Sequence, residues 1–153
     1  MKNLKLIWLA LALFSFTFVS CDDDDEPDEI IIDSSLPTGT FTASRAGSLS
    51  AQNGTPTSGT VELGSDDDGD TYLHFGSNFT TELGTGTVSI YLSTSDTFMA
   101  DPGNGNPDLI LVGVVNENGE SYFKVNKTVS SSFTHVIIWC GSANIPFGNA
   151  ELQ

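Results

Sequence analysis

Apolar and β-branched residues along this chain fall into short runs between turn signals, with polar residues alternating through several of them. Such runs occupy Gly39–Ser44, Gly59–Leu63, Thr71–Phe75, Thr87–Ser93, Leu109–Val115, Ser121–Val125, Thr134–Cys140 and Gly148–Leu152. Each is expected to form a strand. Asp68-Gly69, Asn104-Gly105 and Asn118-Gly119 mark turns, because Asn, Asp and Gly accept positive φ. Asn118-Gly119, between Leu109–Val115 and Ser121–Val125, is the strongest hairpin signal. Nowhere does an apolar stripe at i, i+3, i+4 persist for several helical turns. The pattern predicts an all-β fold, a single antiparallel β-sandwich.

The N-terminal stretch follows a different pattern. Lys2 and Lys5 precede an apolar run, Leu6–Phe14, extended by Phe16, Phe18 and Val19 and ending at Ser20-Cys21. The run is too short, and too abruptly followed by acids, for a stop-transfer helix. A small residue just before a cysteine resembles the bacterial lipobox, although Phe18 stands where the pattern prefers Leu. The resemblance implies cleavage before Cys21, a diacylglycerol thioether on its sulfur and fatty acylation of the new N-terminus, with palmitate a common chain. Residues 1–20 are then the signal peptide, and the multiply acylated cysteine is a stable membrane anchor. Asp22-Asp23-Asp24-Asp25-Glu26-Pro27-Asp28-Glu29 repels itself and extends. With the linker Ile30–Pro37 it makes residues 21–37 a tether, in which Ile30-Ile31-Ile32 either adds a strand or belongs to the leash. An acidic run after the cysteine resembles a surface-export signal of some Gram-negative lineages; in others, Asp at that place signals inner-membrane retention. Display on the outer membrane is the favoured expectation. That leaves one domain, residues 38–153, of a size that folds without disulfides.

Charge narrows the partners. The 153-residue chain carries −15, and losing the first twenty residues removes two lysines and no acid, which leaves −17. Only Arg45, Lys124 and Lys127 remain as fixed cations. Such a surface repels phosphates and anionic lipid headgroups, so nucleic acid is excluded as a partner. The partners left open are the membrane that holds the lipid, a protein, a carbohydrate or a redox partner.

From Thr134 to Leu152 the chain resembles the end of a DM-thirteen domain, a family described as an electron-transfer domain. The resemblance rests on Val136-Ile137-Ile138-Trp139-Cys140 followed by Phe147-Gly148-Asn149-Ala150-Glu151-Leu152. Earlier pieces agree in order: Gly39-Thr40-Phe41, Ser58–Leu63, Tyr72–Phe75 with Asn78-Phe79, Tyr91-Leu92-Ser93, Gly113, and Gly119–Tyr122. Where the family commonly has Gly-Pro-Asp-Leu, this chain has Gly86-Thr87-Val88-Ser89. The resemblance implies a β-sandwich related in outline to DOMON domains, and a redox role for the cysteine at the position of Cys140.

The residues themselves weigh on that role from the other side. Once Cys21 is acylated, Cys140 has no disulfide partner. Alternation puts Cys140 with Val136 and Ile138 on one face, and His135, Ile137 and Trp139 on the other. Both faces are apolar, so the strand is expected to be central and Cys140 a buried small hydrophobe, with no cation near it in sequence. Other constellations are thin. Asp66, Asp68 and Asp70 are candidate Ca²⁺ ligands, but their spacing departs from the EF-hand loop, and a solvated hairpin tip is preferred. His74 and His135 would suit zinc or bis-histidine haem only if the fold brought them together. No cofactor is expected. There is no Gly-x-Ser-x-Gly elbow, no Cys-His pair at plausible geometry and no phosphate-cradling loop, hence no catalytic constellation.

Overall fold

The structure, a computed structural model, describes residues 32–99 and 106–153. The signal segment, Cys21 and the acidic run through Glu29 lie outside the described residues, as do Asn104-Gly105 in the Ser93–Pro107 loop.

Eight strands form: β1 (Thr42–Ala51), β2 (Gly59–Ser65), β3 (Thr71–Phe75), β4 (Val88–Ser93), β5 (Leu109–Val114), β6 (Ser121–Lys124), β7 (His135–Cys140) and β8 (Ile145–Glu151). There is no helix among the described residues. The strands join one antiparallel sheet in the order β5-β4-β7-β8-β1-β2-β3-β6. The corner lies in β1. Thr42–Leu49 pair with β2, whereas Ser50 and Ala51 pair with β8. The sheet folds over along that strand into two facing layers, β1-β2-β3-β6 and β5-β4-β7-β8, and almost closes on itself as a barrel. The expected all-β antiparallel fold is therefore what forms.

Alternation decides the interior. Val61, Leu63, Leu73 and Phe75 point inward from one layer, against Val88, Ile90, Leu92, Val136, Ile138 and Phe147 from the other. Fully burying each such side chain contributes about 1.5–3 kcal/mol. Thr57 and Thr81, both buried, share a 2.8 Å hydroxyl contact at one end of the barrel. The same thread continues through Thr55, whose hydroxyl donates to Phe147 O, and Asn118, whose side chain bonds both backbone groups of Thr81.

Two expectations are corrected. Asn118-Gly119 turns the chain, with Gly119 at φ 104°, but it does not close a hairpin. β5 and β6 are the two free edges of the sheet. The turn docks elsewhere, since Gly119 N–H donates to Phe79 O and Asn118 holds Thr81. Across the seam, a Cβ at Gly113 would come within 2.5 Å of the Phe123 ring. The two edges thus meet by packing rather than by a ladder. The second correction is one of boundary. The first strand runs from Thr42 to Ala51 rather than Gly39 to Ser44, because it is largely exposed and buries only Leu49.

Each layer also has a covered outer face. Residues 33–41 form a strap across β2, β3 and β6. Asp33 bridges to Lys124, and the Tyr72 hydroxyl lies near Leu36 O and Ser35 Oγ. Thr38 and Thr40 donate their N–H groups to the carboxylates of Asp66 and Asp67. Phe41 then packs edge-on against His74 and Tyr122. On the other layer, Phe98 from the β4–β5 loop stacks on Trp139 and meets Tyr91 edge-on.

Candidate functional site

The antiparallel order sends every odd-numbered strand toward one end of the barrel and every even-numbered strand back. Cys140 ends β7 at the pole shared by the turns 52–58, 76–87, 116–120 and 141–144. Its cross-strand neighbours are Val88 on β4 and Ile145 on β8. The strand is central, as its two apolar faces predicted, and Cys140 faces inward with Val136 and Ile138. It is a free thiol with no exposed surface.

The thiol is buried but not deep along the barrel axis. The four residues that follow, Gly141–Asn144, are all exposed and make the β7–β8 turn, with Asn144 at φ 56°. Asn144 N–H donates to Cys140 O, and Ala143 N–H points at Cys140 Sγ at 3.4 Å. The Thr85 hydroxyl lies 3.6 Å from the same sulfur. The turn is tied to β4 by Gly141 N–H donating to Thr87 O. Sequence reasoning found Cys140 and its face; it missed Thr85 and Ala143, which only the folded register brings to the sulfur. Arg45, Lys124 and Lys127 lie toward the other pole, on β1, on β6 and beyond it.

The acidic tip between β2 and β3 is more ordered than a solvated turn. Asp66 is buried, with Oδ1 accepting the N–H groups of Asp68 and Asp70 and Oδ2 that of Thr38. Those amides, Thr38 first, hold the Asp66 carboxyl below the usual carboxylate range. Asp70 accepts a 2.6 Å bond from Lys124 Nζ, and that bond raises the Lys124 ammonium above its ordinary value. Asp68 is exposed. Among the described residues no group of three or more His, Cys, Asp or Glu is arranged to hold a metal ion.

The two histidines lie on strands that are not neighbours. His74 stacks on Tyr122, with Glu62 Oε2 at 2.9 Å from Nδ1 and Glu120 Oε1 at 3.1 Å from Nε2. The carboxylates approach opposite sides of the ring and do not converge on one point. Burial first, then the Glu120 and Glu62 charges, push the Tyr122 hydroxyl above its ordinary value. His135 Nδ1 instead faces the Thr134 hydroxyl at 2.9 Å. A groove of about 740 Å³ runs over β1, β8 and the start of β7 and is lined by Glu62, Asp96, His135, Asn149 and Glu151 among others.

In comparisons with known proteins, the family model for "Electron transfer DM13" matches residues 48–152. No curated protein matches, and no solved structure matches.

Proposed function

We propose, from the premise that this chain belongs to the electron transfer DM13 family, that it is a lipid-anchored redox accessory of the bacterial cell envelope. In this reading Cys21 carries the lipid, the outer membrane holds it, and the domain is displayed at the surface. Cys140 is the redox group. One observation carries the reading. The family match ends just past β7 and β8, and within it the only free cysteine sits directly under an exposed turn, with an amide and a hydroxyl beside its sulfur.

A lone thiol works through a mixed disulfide with another molecule. The Cys140 thiolate attacks a partner disulfide; the new S–S bond forms as the old one breaks, and one partner sulfur leaves as thiolate. A donor thiolate then attacks the partner's sulfur in the mixed disulfide. Cys140 is released as thiolate, and donor and partner are left joined by a disulfide. The donor thiol has been oxidised and the partner disulfide reduced, with Cys140 unchanged.

The complete burial of Cys140, away from every Lys and Arg among the described residues, favours a second reading. This is a non-catalytic display module that binds a protein or carbohydrate through loops such as Ser93–Pro107. One experiment separates the two: labelling of Cys140 by a small thiol reagent in native protein, followed across denaturant concentration. The redox reading expects labelling through local opening of the Gly141–Asn144 turn, insensitive to denaturant at low concentration, and no reaction with a disulfide substrate in Cys140→Ser. Labelling that tracks global unfolding at every concentration sinks that reading and leaves display.

A further inference from the structure

The strap covers the outer face of one layer and the β4–β5 loop that of the other, but β1 lies between them with its outer face bare. Ala46, Ser48 and Ser50 are all exposed there, and they form the floor of the 740 Å³ groove. Register sets its walls. On β2, Glu62 stands opposite Ala46 and Thr60 opposite Ser48. On β8, Asn149 stands opposite Ser50, and Gln153 exchanges backbone hydrogen bonds with Ala46, so Glu151 falls opposite Ser48. The Asn149 side-chain amide donates to Asp96 O, which brings the β4–β5 loop to the level of Ser50. Same-face residues of a strand are about 6.5–7 Å apart. Glu62, Glu151 and Asp96 therefore stand at three successive rungs of one face, those of residues 46, 48 and 50, over about 13 Å. No Lys or Arg lines the groove. Arg45 is the sole Lys or Arg on β1, β2, β7 and β8, and its guanidinium donates to Phe133 O. Among the described residues Glu62 is paired with His74, whereas Asp96 and Glu151 make no ion pair.

We infer that this groove is the docking site for an extended segment of a partner protein that carries Lys or Arg at alternate positions. An extended chain has the same two-residue period as the strand beneath it, so its cations at i, i+2 and i+4 meet one carboxylate each. The small side chains of the floor let its backbone come close. The hydroxyls of Ser48, Ser50 and Thr60 and the amides of Asn149 and Gln153 then offer donors and acceptors to its peptide groups. Both edges of β1 are taken, by β2 and β8, so the segment lies on the face and adds no strand. The groove reaches β7 at His135, the opposite end of that strand from Cys140. The inference therefore goes beyond the redox reading and stands whether or not Cys140 is redox-active or Cys21 carries a lipid.

The test titrates the full chain, at low ionic strength, into two dye-labelled peptides of equal charge. One has its lysines at alternate positions, Lys-Ser-Lys-Ser-Lys, and the other has them adjacent, Ser-Lys-Lys-Lys-Ser. Fluorescence anisotropy is expected to show the alternating peptide bound at least about fivefold more tightly. The acidic run at residues 22–29 attracts both peptides alike, so the difference between them reads the groove. Glu151→Gln and Asp96→Asn, both at exposed side chains, should each weaken the alternating peptide about threefold, the size of one exposed ion pair. Ser48→Tyr, which fills the floor, should bring the two peptides to equal affinity; if that variant does not fold, the two carboxylate changes decide. Glu117→Gln removes the same charge from an exposed turn and should alter neither peptide. No binding, equal affinity of the two peptides for the native chain, or an equal loss in Glu117→Gln overturns the inference. So does a neutral oligosaccharide that binds where the alternating peptide does not and is lost in Ser48→Tyr, since the groove is then a sugar site.

Discussion

The two outer faces of this barrel each bury one large side chain by opposite means. On the β1-β2-β3-β6 layer, Tyr72 is 2% exposed although it lies outside the core, and its cover is the strap. That cover is polar: amides on carboxylates, a hydroxyl near a carbonyl, a backbone bridge at the β6 edge. On the β5-β4-β7-β8 layer the corresponding residue is Ile137, 1% exposed, whose cross-strand neighbours are Tyr91 and Asn149. Both neighbours hold the β4–β5 loop, Tyr91 through the Phe98 ring and Asn149 through a bond from its side-chain amide to Asp96 O. The loop therefore passes over Ile137, and its cover is aromatic, completed by Phe98 stacked on Trp139 at 4.0 Å. Hydrogen-bonded cover responds to protonation, whereas apolar cover responds to lost volume.

The sharpest way to break the comparison is to empty both buried sites. Tyr72→Ala is expected to cost about 3–4 kcal/mol and Ile137→Ala about 2–4 kcal/mol in chemical denaturation, the range for large-to-small changes at buried sites. The two should differ in reach. Tyr72→Ala also strips hydrogen-exchange protection from the Thr40 amide, while Ile137→Ala leaves it intact. Equal loss of strap protection in both variants would mean that the covers are not independent. Next in size is Phe98→Ala, at about 1–2 kcal/mol from lost ring contacts. In the chain after Cys21, Trp139 is the sole tryptophan, so a red shift of its emission reads the uncovering directly. Tyr72→Phe should cost less than about 1 kcal/mol, because the hydroxyl contacts it removes are long, 3.4 and 3.5 Å.

Why the covers were hard to foresee follows from what a hydrophobic pattern encodes. Period-two alternation reports which side chains of a strand share a face, and it placed Val136, Ile138 and Cys140 together inside. It fails where a strand is largely exposed, as in β1, whose lone buried residue is Leu49. It also reports no partner. Asn118-Gly119 announces a turn, but the turn bridges two free edges because its amides and side chain are taken by Phe79 and Thr81. The acids at Asp66–Asp70 were legible as a tip with oxygen ligands. Besides the local amides of Asp68 and Asp70, they accept those of Thr38 and Thr40, 28 and 27 residues away, and no local spacing encodes the distant pair. Cys140 was legible as a buried central residue for the same reason that its sulfur contacts were not.

The smallest expected effect separates the covers by pH. Asp66 is held below the ordinary carboxylate range, chiefly by Thr38 N–H and also by the amides of its own turn. A carboxylate whose value is lower in the folded state contributes stability that is complete above its unfolded value and is lost as pH falls through the folded one. The unfolded value is near 3.8, so the strap's contribution is present at neutral pH and declines below about pH 4. Lys124 works in the opposite sense. Its ammonium is raised by the Asp70 bond, so its contribution is whole below its unfolded value near 10.5 and fades as pH rises through the higher folded one. Between these limits the strap should be insensitive to pH. Exchange of the Thr38 amide, measured from pH 6 down to 3 and corrected for intrinsic rates, should show protection falling at the acid end in the native chain. In Asp66→Asn protection should already be low at pH 6 and nearly flat. Trp139 emission should stay constant over the same range, because the aromatic cover holds no carboxylate contact of this kind. If Trp139 shifts together with Thr38, the acid transition is global, and the polar strap is no weaker than the rest of the fold.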